Sequence, residues 1–213
     1  DSSTKLVVEQ VSHHPPITAM HIASKEHGIR ADGYGRAEMT FNGNINVRQI
    51  GHAIIHIDKF DEDYLVPLPS VIVRGFMSAC LYPEITGTYT IISSSGFVSE
   101  IDFSGAGLFR GKRNSFEARV YHQDEPKKIC YKVSGVWSEG WKIIDCNGKL
   151  VETYDVNAAE DTLSPIELDP VEQQDSRESR RAWKDVILAL GQGDYRTASI
   201  AKQKVEEQQR QKR

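Results

Sequence analysis

The chain has 213 residues, 39% of them hydrophobic, which suffices for one substantial core in one domain or at most two. Its formal charge of −4 argues against general attraction to nucleic acid or to an anionic membrane, so any recognition of phosphate falls to a focused site. Cys80, Cys130 and Cys146 are odd in number and widely spaced, which predicts reduced thiols in a cytoplasmic protein, and no apolar run reaches the length of a membrane span, so membrane contact is expected to be peripheral.

The polar Ser2-Ser3-Thr4 leads into the apolar Leu6-Val7-Val8, the first strand-like run. It continues into Glu9-Gln10-Val11-Ser12-His13-His14-Pro15-Pro16. Each proline removes a backbone donor, fixes φ and pushes its predecessor out of the helical region, so His14 is extended and the histidines end a strand or open a loop. Consecutive side chains in a regular strand point to opposite faces. Both imidazoles can therefore address one ligand only if the backbone twists or bulges there, which neighbouring prolines favour. An anion suits two such donors, since each imidazole can give a charge-assisted hydrogen bond to a phosphate oxygen. Three other readings stand beside this one. The histidines could satisfy buried polar partners at a turn. They could hold a metal, although adjacent histidines chelate poorly and no Cys/His cluster at zinc spacing supports them. Either could serve as a catalytic base, although no G-x-S-x-G motif accompanies them.

From Lys5 to Val156 the pattern has period two, in short β-branched and aromatic runs bounded by Gly, Asn, Asp and Pro. This predicts a long antiparallel meander. Ile17 to Ala23 and Ile29 to Phe41 flank the turn Lys25-Glu26-His27-Gly28, and Asn42-Gly43 forms a tight hairpin loop before Ile45 to Ile57. His21, His52 and His56 fall within these strands as satisfied structural histidines, while His27 and His122 belong to turns or the surface. Prolines in Val66-Pro67-Leu68-Pro69 predict an edge segment or a loop crossing. Strands resume at Ser70 to Phe76 and Tyr82 to Tyr89, where Gly87 marks a bend, and again at Phe97 to Phe103. Gly105-Ala106-Gly107 reads as a bulge, because no helix and no Lys-Ser/Thr follow it. Four further strands are expected at Phe116 to His122, Lys128 to Val136, Gly140 to Asp145 and Lys149 to Tyr154, in the rhythm of a barrel or sandwich. Trp137 and Trp141 read as packing residues rather than as a platform for bases.

After Asp155 the composition turns acidic, which predicts a linker over residues 157–174. Helices are expected over 175–213. Asp175 or Ser176 caps the first, an amphipathic helix packed on the sheet, with Trp183, Val186, Ile187 and Leu190 as its apolar stripe and Gly191 as its stop. Asp194 caps the second, in which Tyr195, Ala198, Ala201 and Val205 form a weaker stripe. Lys202, Glu206 and Arg210 recur at i, i+4 and i+8, covering roughly an 80° sector beside that stripe. By itself this reads as a solvated ladder of i, i+4 ion pairs rather than as two cations and a carboxylate facing one anion.

Glu9 to Pro16 closely resembles the EQVSHHPP fingerprint of the oxysterol-binding-protein-related family of lipid-transfer proteins, all eight positions standing as the family has them. Lys202, Val205, Glu206, Gln209 and Arg210 match the family's K-x-x-[LVI]-E-x-x-Q-R motif. The resemblance implies a mainly β fold with C-terminal helices, a large and nearly closed antiparallel barrel around a lipid tunnel, of which residues 1–156 supply a portion. It also implies that His13, His14, Lys202, Glu206 and Arg210 hold the headgroup of a phosphatidylinositol phosphate, most simply phosphatidylinositol 4-phosphate, at the tunnel mouth. A second lipid, sterol or phosphatidylserine, would compete for the tunnel, so that the protein exchanges lipids between membranes at organelle contact sites. No enzymatic activity, cofactor, metal or nucleic-acid partner is implied. A phosphoinositide sensor that transfers nothing and a histidine-dependent hydrolase are the rival functions. Because the chain opens on Asp1 and lacks the family's lid and its Asn-Pro-x-Leu-Gly-Glu motif, it is expected to be the central and C-terminal part of a longer domain.

Overall fold

Among the described residues, alternating apolar residues separated by turn formers produce one antiparallel sheet of twelve strands. They are β1 (Thr4–Ser12), β2 (Ile17–Ser24), β3 (Ile29–Phe41), β4 (Ile45–Ile57), β5 (Glu62–Pro67), β6 (Ser70–Arg74), β7 (Tyr82–Ser93), β8 (Phe97–Ser104), β9 (Ser115–His122), β10 (Ile129–Val136), β11 (Gly140–Asp145) and β12 (Leu150–Asp155). This computed structural model describes residues 4–75, 80–104, 112–160 and 166–211. Phe76 and Gly105-Ala106-Gly107, read above as a strand end and a bulge, lie outside them. The strand order is β1-β2-β3-β4-β5-β7-β8-β9-β10-β11-β12, with β6 paired to β4 and β7, and among the described residues the edges β1 and β12 have one partner each. This is the expected meander, mainly β with C-terminal helices.

Register sorts the two faces. One carries the rows Leu6–Ile22–Ala31–Ile55–Tyr64 and Val8–Met20–Gly33–Ala53–Val66, and the other carries Lys5–Ala23–Arg30–His56–Asp63. A slip of one residue would exchange these faces throughout, so the apolar pattern fixes the pairing. Ion pairs bridge strands on the polar face: Arg30 to Asp58 at 2.8 Å and Arg119 to Glu100 at 2.7 Å. The strand histidines are satisfied as expected. His21 Nδ1 lies 2.7 Å from Asp32, His56 Nδ1 lies 2.8 Å from Asp63, and His52 packs edge-on to Tyr34. His122 is less a surface residue than expected, being half-buried with its ring edge-on to Phe97.

The apolar face continues across the second half of the sheet as an aromatic row. Gly87, Phe103, Phe116, Gly135, Trp141 and Tyr154 are successive register partners. Tyr89 leans over Gly87 to reach Phe103 at 6.0 Å, and Trp141 lies 6.0 Å from Phe116 and stacks on Tyr154 at 4.3 Å. A Cβ at Gly135 would collide with the Gly140 carbonyl and the Trp141 backbone, so only glycine lets β11 come this close. Each aromatic pair contributes about 0.5–1.5 kcal/mol beyond its buried area. Trp141 is thus a packing residue, as expected. Beside this row Val120, Tyr131, Val133, Ile143 and Val151 line an apolar concavity of about 280 Å³.

The Val66-Pro67-Leu68-Pro69 segment is neither an edge nor a crossing loop. Its prolines divide one interior strand position into two: β5 pairs with His52–Ile57 of β4, and β6 pairs with Ile45–Val47 of the same strand. β7 repeats the division, pairing with β6 up to Thr86 and with β5 from Ile92, and turns between them at Gly87 (φ +100°), the expected bend. Side chains replace the missing ladder bonds. Gln49 Nε2 donates to the Pro69 carbonyl at 2.7 Å, and Tyr89 OH accepts from the Ser70 N–H at 2.7 Å while donating to the Thr86 carbonyl. An interior position tolerates proline here because these groups satisfy the backbone that it leaves unpaired.

Residues 1–164 and 165–213 form separate compact units. The acidic stretch after Asp155 begins as a short helix, α1 (Val156–Glu160), rather than as open linker. In the second unit the predicted first helix is broken into α2 (Ser179–Ala182) and α3 (Lys184–Gly191), so neither Asp175 nor Ser176 caps it. Its buried residues are Val186 and Ala189, which cluster with Ala198 of α4 (Tyr195–Gln211) and with the partly buried Trp183 and Ala201. Ile187 and Leu190, counted in the predicted stripe, are 54% and 50% exposed. The partner is another helix approached through alanines, and that narrow seam selects Ala189 over its larger neighbours.

The stop also moves, from Gly191 to Gly193. The Asp194 N–H donates to the Ala189 carbonyl and the Gly193 N–H to the Leu190 carbonyl, with Gly193 at φ +74°. These are the two bonds of a Schellman motif with glycine in the left-handed position. Asp194 then caps α4 as expected, accepting from the Thr197 N–H at 3.0 Å and from the Thr197 hydroxyl at 2.6 Å.

Candidate functional site

The imidazole pair sits where β1 ends. Pairing with β2 runs regularly to Gln10, opposite Thr18, then shifts so that Ser12 faces Ile17, leaving Val11 as an extra residue. This is the bulge that two adjacent histidines need in order to share a direction. Gln10 Nε2 donates to the Ser12 carbonyl at 3.2 Å and spans the irregularity. Residues 13–16 form a turn, in which the His14–Pro15 peptide bond is cis. The His13 and His14 ring centroids are 4.2 Å apart at an interplanar angle of 48°. Both residues are exposed, and among the described residues neither imidazole takes part in a hydrogen bond or ion pair. Histidines that satisfied buried partners would be enclosed and bonded. No group of three or more His, Cys, Asp or Glu residues among those described could hold a metal ion.

In the second unit, α4 brings the three polar residues of the C-terminal motif together. Glu206 lies between the two cations, its Oε1 3.5 Å from Lys202 Nζ and its Oε2 3.8 Å from Arg210 Nη2. Arg210 remains 74% exposed. Spacings of four residues place these side chains on one helical face, and the Asp194 cap and the Ala198 seam fix the orientation of that face against α3. Tyr195, expected in the apolar stripe, is 77% exposed. Seven residues separate it from Lys202, close to two helical turns, so the phenol shares the polar face and not the alanine seam.

Two polar clusters had no signal in the sequence, because they depend on which strands pair. Glu84 is fully buried and accepts from Arg74 Nε at 2.6 Å across β6 and β7. Glu62 accepts from the hydroxyls of Ser93 and Ser95, and from that of Tyr64 at 2.6 Å. Hydrogen bonds from Ser93, Ser95 and Tyr64 hold its carboxyl below the ordinary carboxylate range, and the Tyr64 phenol is correspondingly raised by Glu62. Both clusters fasten strands to one another.

The oxysterol-binding protein family model matches residues 1–188. The probable transporter efuK of Hormonema carpetanum is 48% identical over 98% of this chain and 30% of its own length, and protein kes1 of Schizosaccharomyces pombe is 37% identical over 99% of this chain and 55% of its own length. The chain thus spans about half of these relatives or less. The same fold occurs in two solved structures. The Osh3 ORD of Saccharomyces cerevisiae in complex with PI(4)P has a TM-score of 0.67 at 17% identity, covering 98% of this chain and 58% of that one. The Osh1 ORD domain in complex with cholesterol has a TM-score of 0.67 at 19% identity, covering 98% and 56%. From sequence and fold alike, this chain belongs to the oxysterol-binding protein family and forms part of its ligand-binding domain.

Proposed function

We propose that the protein binds a phosphatidylinositol monophosphate, phosphatidylinositol 4-phosphate in the simplest case, through His13, His14, Lys202, Glu206 and Arg210, and exchanges it for a second lipid between membranes. The observation that carries this reading is the exposed and unpartnered imidazole pair on the bulged exit of β1. Two imidazoles turned the same way offer paired N–H donors to one phosphate. Arg210 adds a planar fork and Lys202 a point charge, while Glu206 holds both cations and accepts from an inositol hydroxyl. Membership of a family of lipid-binding and lipid-transfer proteins supports a lipid as the ligand and binding rather than catalysis as the activity. The second lipid, sterol or phosphatidylserine, occupies the apolar interior and depends little on the headgroup contacts.

The test is transfer between liposomes, with labelled phosphatidylinositol 4-phosphate in the donor and either sterol or phosphatidylserine in the acceptor. Exchange of the phosphoinositide, with unphosphorylated phosphatidylinositol left behind, is the expected result. Binding without transfer would leave a sensor, and turnover of the phosphoinositide would make the protein a hydrolase.

A further inference from the structure

We infer that Cys130 and Cys146 are a dithiol pair that closes reversibly into a cross-strand disulfide at the open end of the β10–β11 hairpin, the oxidant being a low-molecular-weight disulfide such as glutathione disulfide. The register places them together. Val136 faces Gly140, and the pairing continues without a shift to Tyr131 facing Asp145. Cys130 and Cys146 are the next residues outward on the two strands, immediately beyond this last pair. Opposed residues in an antiparallel pair have Cα atoms about 4.5–5.5 Å apart, inside the range of about 4.4–6.8 Å that a disulfide spans.

Both positions lie where the backbone can adjust. Cys130 is the residue at which β10 shifts register against β9, between Ile129 facing Tyr121 and Tyr131 facing Val120. Cys146 begins the turn to β12, in which the Asn147 and Lys149 N–H groups donate to Asp145 Oδ1 at 2.9 Å. Both sulfurs are reduced, Cys146 is exposed and Cys130 half-buried. Lys128 lies close to both sulfurs. Its ammonium is held on mainly by the hydrogen bond and charge of Glu125, and the Cys130 and Cys146 sulfurs add to this, so both lie within electrostatic reach of one cation. The Cys130 thiol also donates to the Lys128 carbonyl at 3.9 Å. A thiolate is the attacking species in disulfide exchange.

The steps balance as two exchanges. The exposed Cys146 thiolate attacks glutathione disulfide, forming a mixed disulfide and releasing one glutathione. Cys130 then attacks the Cys146 sulfur, forming the protein disulfide and releasing the second glutathione. The two protein thiols are oxidised, the glutathione disulfide is reduced to two thiols, and the two protons pass to them. The bond pins β10 to β11 beside Tyr131 and Ile143, which line the apolar concavity.

The experiment is incubation of the folded chain in a glutathione redox buffer, followed by thiol counting and non-reducing peptide mapping by mass spectrometry. The expected result is a peptide joining Cys130 to Cys146, with titratable thiols falling from three to one and the linkage reversed by reduced glutathione. In Cys130→Ser the reaction stops at a glutathione adduct on Cys146, and after unfolding in urea the preference for this pair is lost. Separate glutathione adducts on both residues of the unaltered chain, or a linkage from either one to Cys80, would overturn the assignment.

Discussion

Two glycines in the same turn are expected to respond to alanine with opposite signs. Gly193 holds φ +74°, and a Cβ built there meets nothing within 4 Å, so the effect of Gly193→Ala is purely one of backbone conformation. Holding an L-residue in the left-handed region costs about 1–2 kcal/mol. The lower entropy of the unfolded chain offsets about 0.4–1 kcal/mol of it, leaving a net loss between near zero and about 1.6 kcal/mol. Gly191 is the last residue of α3, takes no left-handed φ and likewise faces open space, so Gly191→Ala gains up to about 1 kcal/mol of helix propensity. Thermal unfolding followed by circular dichroism, with amide exchange of residues 187–192, separates the two. A stabilising Gly193→Ala, or a destabilising Gly191→Ala, would refute the Schellman assignment and return the stop to Gly191.

Replacing both His13 and His14 with alanine should abolish extraction of phosphatidylinositol 4-phosphate from liposomes and leave the circular dichroism spectrum unchanged, because both side chains are exposed and unbonded. Loss of folding would instead make them structural. Arg210→Ala should weaken phosphoinositide binding by about one to two orders of magnitude, as expected for charge-assisted contacts worth about 1.5–3 kcal/mol. Glu206→Ala should weaken it less, since that change removes only the carboxylate between two cations. A larger effect at Glu206, measured by the same titration, would count against this division of roles. Asp194 is held below its ordinary pKa of 3.8 by the hydroxyl and then the N–H of Thr197. Its capping stability is therefore complete above that value and is lost as pH falls through the lowered one. Acid titration of helicity should show Asp194→Asn, which caps without titrating, losing less than the native chain; coincident profiles would contradict the cap.

The meander was legible because its signal is local. Alternation and turn residues recur at each hairpin, and apart from β5, which was expected as an edge or crossing loop, the strand limits from Ile17 to Tyr154 fall within a few residues of their expected places. The histidine pair was legible for a related reason, since strand geometry demands a bulge before neighbouring side chains can turn the same way, and Val11 supplies it. Interactions distant in sequence were not legible. Pro67 and Pro69 signal a lost donor, but nothing near them reveals that Gln49 and Tyr89 will satisfy the gap. The buried stripe of α3 was hidden for another reason: size is a poor guide to burial where a seam built on Ala198 admits Ala189 and leaves Leu190 outside. Arg74 and Glu84 are ten residues apart and become partners only once β6 and β7 pair.

The strand order also bears on how the sheet assembles. Along most of the chain each strand pairs with its immediate predecessor, so contact order is low and the sheet can grow hairpin by hairpin as the polypeptide leaves the ribosome. That growth is interrupted once. β7 cannot settle on β6 alone, because its second half belongs to β5 and only its first half to β6. Before Tyr89 and Gln49 can close the gap, both halves of the divided strand must already lie along β4. The proline segment therefore makes the docking of β7 the least local event in forming the sheet, and until it happens β4, β5 and β6 leave an open edge with which another chain could pair.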